Sequence, residues 1–170
     1  MSQILEILKI LIPPSIVAVV VYVMIKNYFN NEQAKQKQIA NDDLKKELIP
    51  MKLQAMERMV LLLERITPHN MFNRMPGQNL MAGEYSVQIL ASIAMEFDHN
   101  VAQQLYVSND SWKAVITAKD WMINLISEAE KGLGANASAQ ELKTLVLEVA
   151  MKAEIMPTTQ AIHFIKSELA

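Results

Sequence analysis

Glu96, Asp98 and His99, in the run Glu96-Phe97-Asp98-His99-Asn100, are the side chains whose types and spacing could do chemistry. A Glu-x-x-His step puts both groups on one helical face. Bundle di-iron proteins use that step twice and add glutamates from other helices. Here it occurs once: Ile66 stands three residues before His69, and Gln160 three before His163. A plainer reading is a polar helix end, with His99 capping carbonyls or bonding a neighbouring carboxylate. A third reading takes His99, Asn100, Gln103, Gln104, Tyr106 and Trp112 as a contact surface for another protein, because aromatic anchors among adaptable polar groups are common at interface centres.

The composition removes other chemistries. With no cysteine, disulfide frameworks, thiolate metal sites and cysteine nucleophiles are excluded. The four glycines, at 77, 83, 132 and 134, make neither a G-x-x-x-x-G-K nor a G-x-G-x-x-G loop. No G-x-S-x-G elbow occurs, and the serines are scattered relative to the histidines. No catalytic residue and no cofactor is expected from these patterns. A net charge of -2 offers no general attraction to nucleic acid, which is not expected as a partner. Twelve methionines suit either adaptable core packing or a Met-rich groove for partner helices.

The elements that would position these groups begin with residues 4 to 29, ILEILKILIPPSIVAVVVYVMIKNYF. About 20 predominantly apolar residues are roughly enough helix to cross a bilayer. The segment therefore predicts an uncleaved anchor over 1–29, its span at about 11–29. Pro13 and Pro14 sit where a first helical turn tolerates proline. Tyr22, Tyr28 and Phe29 would lie near an interface. Glu6 and Lys9 share a face and can pair. Neither a basic n-region nor an A-x-A site supports a cleaved signal. Lys26, Lys35, Lys37, Lys45 and Lys46 follow the segment, and only Lys9 precedes it. That bias predicts a single pass through a bacterial inner membrane, N-terminus outside and C-terminal domain cytoplasmic. The lipid bilayer is then one partner, and the lysines could add about 1 kcal/mol each on anionic lipid.

Residues 30–50, a polar run of helix formers, predict a solvated helical stalk. From there Ile49, Leu53, Met56, Val60 and Leu63 repeat at heptad-like spacings on a helix expected to start at Pro50. The stripe is either a short coiled coil between copies or one face of a helix packed within its own domain. Thr67-Pro68 predicts a helix start, Pro76-Gly77 a turn, and 79–98 a long helix with Leu80, Gly83, Val87, Leu90, Ala94 and Phe97 on one face. A helix over 109–131 closes at Gly132. Ser138 and Glu141 form a capping box opening the next, with Leu142, Leu145, Val146, Val149 and Ala153 behind them. A last helix is expected over 158–169.

The stretch MEFDHNVAQQLYVSNDSW (Met95 to Trp112), with ERITPHNMFNRM (Glu64 to Met75) and the N-terminal segment, resembles a family of small single-span inner-membrane proteins from Bacteroidota. The resemblance covers nearly the whole chain. It implies location and architecture but no activity and no site.

The expected fold is all-α: an N-terminal transmembrane helix, a stalk, and a compact bundle of about five helices over 51–170. The expected function is a non-enzymatic scaffold or accessory subunit of an inner-membrane complex, binding another membrane or cytoplasmic protein or itself. The alternative is a small metal-dependent enzyme built on Glu96, Asp98 and His99.

Overall fold

The computed structural model describes the backbone of residues 2–169 and the side chains of 14–39 and 41–169. Its elements are α1 (Ser2–Ile66), α2 (Pro68–Arg74), α3 (Ala82–Asn100), a 3₁₀ turn (Val101–Leu105), α4 (Asn109–Lys131), α5 (Ala139–Lys152) and α6 (Pro157–Ser167). The chain divides into two units, Met1–Ile49 and Pro50–Ala170.

In the first unit, the expectation of a transmembrane helix is overturned. Among the described residues, no helix is long and apolar enough to cross a membrane. The reason lies in α1 itself. The apolar run Ile16–Ile25 stops at Lys26-Asn27, and Asn30-Asn31 follow Tyr28-Phe29. Among the described side chains that run covers roughly 15 Å at about 1.5 Å per residue, half of a bilayer core. The anchor roles assigned to Pro14, Tyr22, Lys26, Tyr28 and Phe29 fall with the span. So does the single-pass inner-membrane location with its cytoplasmic C-terminal domain. The side chains of Glu6, Lys9 and Pro13 lie outside the described residues. Tyr28 and Phe29 pack edge to face at 6.0 Å, and Lys46 pairs with Asp43 at 3.2 Å in solvent.

Pro50 does not start a helix; it lies inside α1. Proline removes one amide donor from the ladder. The turns that follow are held by tertiary packing instead. Ala55, Met56, Met59, Leu62, Leu63 and Ile66 are all buried. The 49–63 stripe thus splits. Met56 and Leu63 enter the chain's own core, whereas Ile49 and Leu53 stay exposed.

The second unit is an α-bundle built on those α1 residues. Met71 and Phe72 of α2, Tyr85, Ile89 and Ile93 of α3, Val115, Met122 and Ile126 of α4, Leu142 and Val146 of α5, and Ala161 and Ile165 of α6 complete one hydrophobic cluster. The recurring steps of three and four residues are the helical period at work. Met56, Met59, Met71 and Met122 are wholly buried and fill core space, while Met51, Met81, Met95 and Met151 are exposed.

α3 is rotated from its expected face. It buries Ala82, Tyr85, Ser86, Ile89 and Ile93, and leaves Val87 66% exposed. Tyr85 decides the rotation, because its large ring is worth most when buried and its hydroxyl reaches the Met75 carbonyl at 2.5 Å. α5 likewise buries Leu142, Val146 and Ala150 rather than Val149.

The starts of α3 and α5 are stitched together. Ala82 donates to the Ala137 carbonyl at 2.8 Å, and Ala139 to the Leu80 carbonyl at 3.0 Å. The Ser138–Glu141 capping box forms as the sequence predicts: the Glu141 amide donates to Ser138 Oγ at 3.3 Å, and the Ser138 amide to Glu141 Oε2 at 2.7 Å. The Ser138 amide and hydroxyl, both donating to the Glu141 carboxylate, hold that carboxyl below its usual range.

Candidate functional site

The Glu96 carboxylate, near the end of α3, is already occupied. Arg65, in the last turn of α1, donates through Nη1 to both its oxygens at 3.1 and 3.2 Å. Arg74, closing α2, donates to Oε1 at 3.4 Å. Glu96 is thus an electrostatic tie between three helices. A carboxylate whose oxygens already accept from two guanidiniums is not free to ligate a metal. Asp98 and His99 are exposed. Among the described residues, no three His, Cys, Asp or Glu side chains converge as a metal site would need. Asn100, not His99, caps the helix end, donating to the Glu96 carbonyl at 2.8 Å.

The expected contact surface is only partly assembled. His99, Gln104 and Tyr106 are exposed, whereas Asn100, Gln103 and Trp112 are half-buried. Trp112 faces inward and stacks on Phe97 at 5.3 Å and 27°, while the Lys119 ammonium lies 4.4 Å from the Phe97 ring centre. Leu105 is 79% exposed on the 3₁₀ turn.

A second polar cluster ties the end of the chain to the bundle. Glu168 accepts from the Ser108 hydroxyl and amide, 2.5 and 3.1 Å away, and pairs with Lys52 Nζ at 3.3 Å. Burial pushes its pKa up. The Ser108 and Ser111 hydroxyls, the Ser108 amide and Lys52 pull it down further, to about 2. The carboxylate also sits at the N-terminal end of α4, where negative charge is favoured. This cluster is structural, and the sequence offered no signal for it, since its members lie up to 116 positions apart.

The concavity with the character of a binding site lies elsewhere, between the α1–α2 corner and the α5–α6 corner. It is an open groove of ≈ 440 Å³. Pro68, Leu147, Ala150, Met151, Met156 and Ile162 supply its apolar walls, and Glu64, Thr67, His69, Asn70 and Thr159 its polar rim. Such a mixture, mostly apolar with a few polar groups, is what ligand- and peptide-binding clefts present. The Asn70 amide donates to the Glu64 carbonyl at 2.9 Å and to its carboxylate at 3.3 Å, fixing the rim. His69 Nε2 lies 3.1 Å from Asn73 Nδ2. The sequence signal was faint. Met151, off the buried face of α5, and Ile155, in the connection to α6, are large apolar residues and both are exposed.

The fold and the groove define a class: an all-α helical protein with an apolar cleft on its bundle. The chain belongs to a family of unknown function, DUF7935, whose profile matches residues 2–170. The match carries no source organism and no membrane span. Neither the curated proteins nor the solved structures give a match to the chain.

Proposed function

We propose that this protein is a non-enzymatic interaction or scaffold protein, and that its bundle receives a helix of another protein in the groove between the α1–α2 and α5–α6 corners. The groove itself supports this reading best. Its walls are apolar and include the flexible thioethers of Met151 and Met156, which adapt to a partner's side chains. An amphipathic helix laid into an apolar groove is a recurring recognition mode. The occupied Glu96 carboxylate leaves the metal-enzyme alternative with little support.

The test is a photocrosslinking residue placed at Met151 in the full chain, compared with one at the exposed Gln88 on α3. A defined adduct from position 151 alone is expected in native extracts. Equal adducts from both positions, or none from 151, overturn the reading. Self-association is a second reading, favoured by Ile16–Ile25, a run whose side chains are exposed throughout. Exposed apolar surface of that extent calls for a cover, and a second copy would supply one. Light scattering after size exclusion separates a monomer from a dimer.

A further inference from the structure

The chemistry of the groove says more than that it binds a helix. Glu64 is the one lining residue among those described that is an aspartate, glutamate, lysine or arginine. Its carboxylate accepts a single bond, from the neutral Asn70 amide at 3.3 Å. Among the described residues it forms no ion pair, although Arg65 beside it, Arg74 and Lys52 all do. The backbone does not supply the missing positive charge. α1 and α5 bring their carbonyl ends to the groove, and α2 and α6 their amide ends, so the helix dipoles oppose one another there. The rim is therefore negative beside an apolar floor.

Large apolar side chains are also exposed in the α5–α6 corner. Met151 is 77% exposed, and Ile155 in the same α5–α6 corner is 63% exposed. A small molecule filling the cleft would leave these side chains in water. A helix lying along it would cover them.

We propose that the groove is selective for a basic amphipathic helix, whose apolar face packs on Met151, Met156 and Ile162 and whose flanking lysine or arginine pairs with Glu64. This inference rests on the helix-in-groove reading above and adds the charge of the partner. Either cation can pair with Glu64, arginine through a fork that matches both carboxylate oxygens and lysine as a compact point charge.

The probes are two fluorescein-labelled synthetic helices with the same leucine face, one flanked by lysines and the other by glutamates. Each is titrated against the full chain by fluorescence anisotropy. The lysine-flanked helix is expected to bind about tenfold more tightly. Met151→Asp, at a surface position, places a charge on the apolar wall and should weaken that binding by about tenfold or more. Glu64→Lys should reverse the preference toward the glutamate-flanked helix, a gain that a misfolded variant would not give. Equal binding of both helices, weakened alike by Met151→Asp, overturns the charge selectivity and leaves the helix-in-groove reading intact. Binding of neither helix through Met151 overturns both. A dimer of the full chain that Met151→Asp dissociates assigns the groove to a second copy, and dodecanol uptake that excludes the lysine-flanked helix assigns it to a small ligand; either result overturns the proposal.

Discussion

At the scale of single residues, two positions decide more than their size suggests. Gly77 has φ of 60°, and a Cβ built there would meet the Tyr85 ring at 2.5 Å. Tyr85 cannot yield, because it is fully buried and its hydroxyl is held by Met75. Lys143 adds to the clamp by donating to the Pro76 carbonyl, with its ammonium 5.4 Å from the Tyr85 ring centre. Gly77→Ala should therefore lower stability by about 2–4 kcal/mol through backbone strain and steric conflict together, read as a fall in the urea midpoint. Thr158 is the opposite case. Its hydroxyl is wholly buried and has no hydrogen-bond partner among the described residues. Thr158→Val keeps the shape and removes an unsatisfied polar group, so it should be neutral or stabilise by up to about 1 kcal/mol. A clear loss of stability in that variant would mean the hydroxyl has a partner after all.

At the scale of elements, the helices are joined by polar ties at their ends. Glu168 is the tie whose strength depends on pH. Its folded pKa of about 2 lies below the ordinary glutamate value of 4.5. The unfolded chain therefore binds more protons between those values, and the stabilisation is complete above about 4.5 and fades as pH falls toward 2. Glu168→Gln should cost about 1–3 kcal/mol at pH 7 and much less at pH 2.5, measured by urea unfolding at both pH values. An equal cost at both would remove the carboxylate from the acid response. The α5 start is a second such tie. Ser138→Ala breaks the capping box beside the bridge to α3 and should cost about 0.5–2 kcal/mol. Both ties end on serines at helix starts, yet only one was legible in the sequence. Ser138 and Glu141 are three residues apart, whereas Ser108 and Glu168 are 60 positions apart in the chain.

At the scale of the molecule, the division at Ile49 and Pro50 has an energetic meaning. All the buried apolar side chains described lie between Ala55 and Ile165. A fragment of residues 50–170 should then unfold in one cooperative transition, within about 5 °C of the full chain's midpoint by circular dichroism. Non-cooperative melting of the fragment would mean that residues before Pro50 contribute to the core. Proline at the fragment's start costs no amide bond, because the first turn has none to lose.

The sequence by itself determined the local order: the helical class, the starts at Thr67-Pro68 and Ser138, the extent of α4, and the turn at Pro76-Gly77. These follow from neighbours a few positions apart, where capping, proline geometry and the 3.6-residue period act. It misled over the membrane span expected of α1. Residues 4–29 read as enough apolar helix for a span, whereas among the described residues no helix is long and apolar enough to cross a membrane. Only the tertiary structure decided which face of α3 is buried, that Glu96 belongs to Arg65 and Arg74, and that two helix corners enclose a groove. Each depends on residues from distant parts of the chain meeting in space, where the burial of one ring or the pairing of one charge outweighs the periodicity of any single helix.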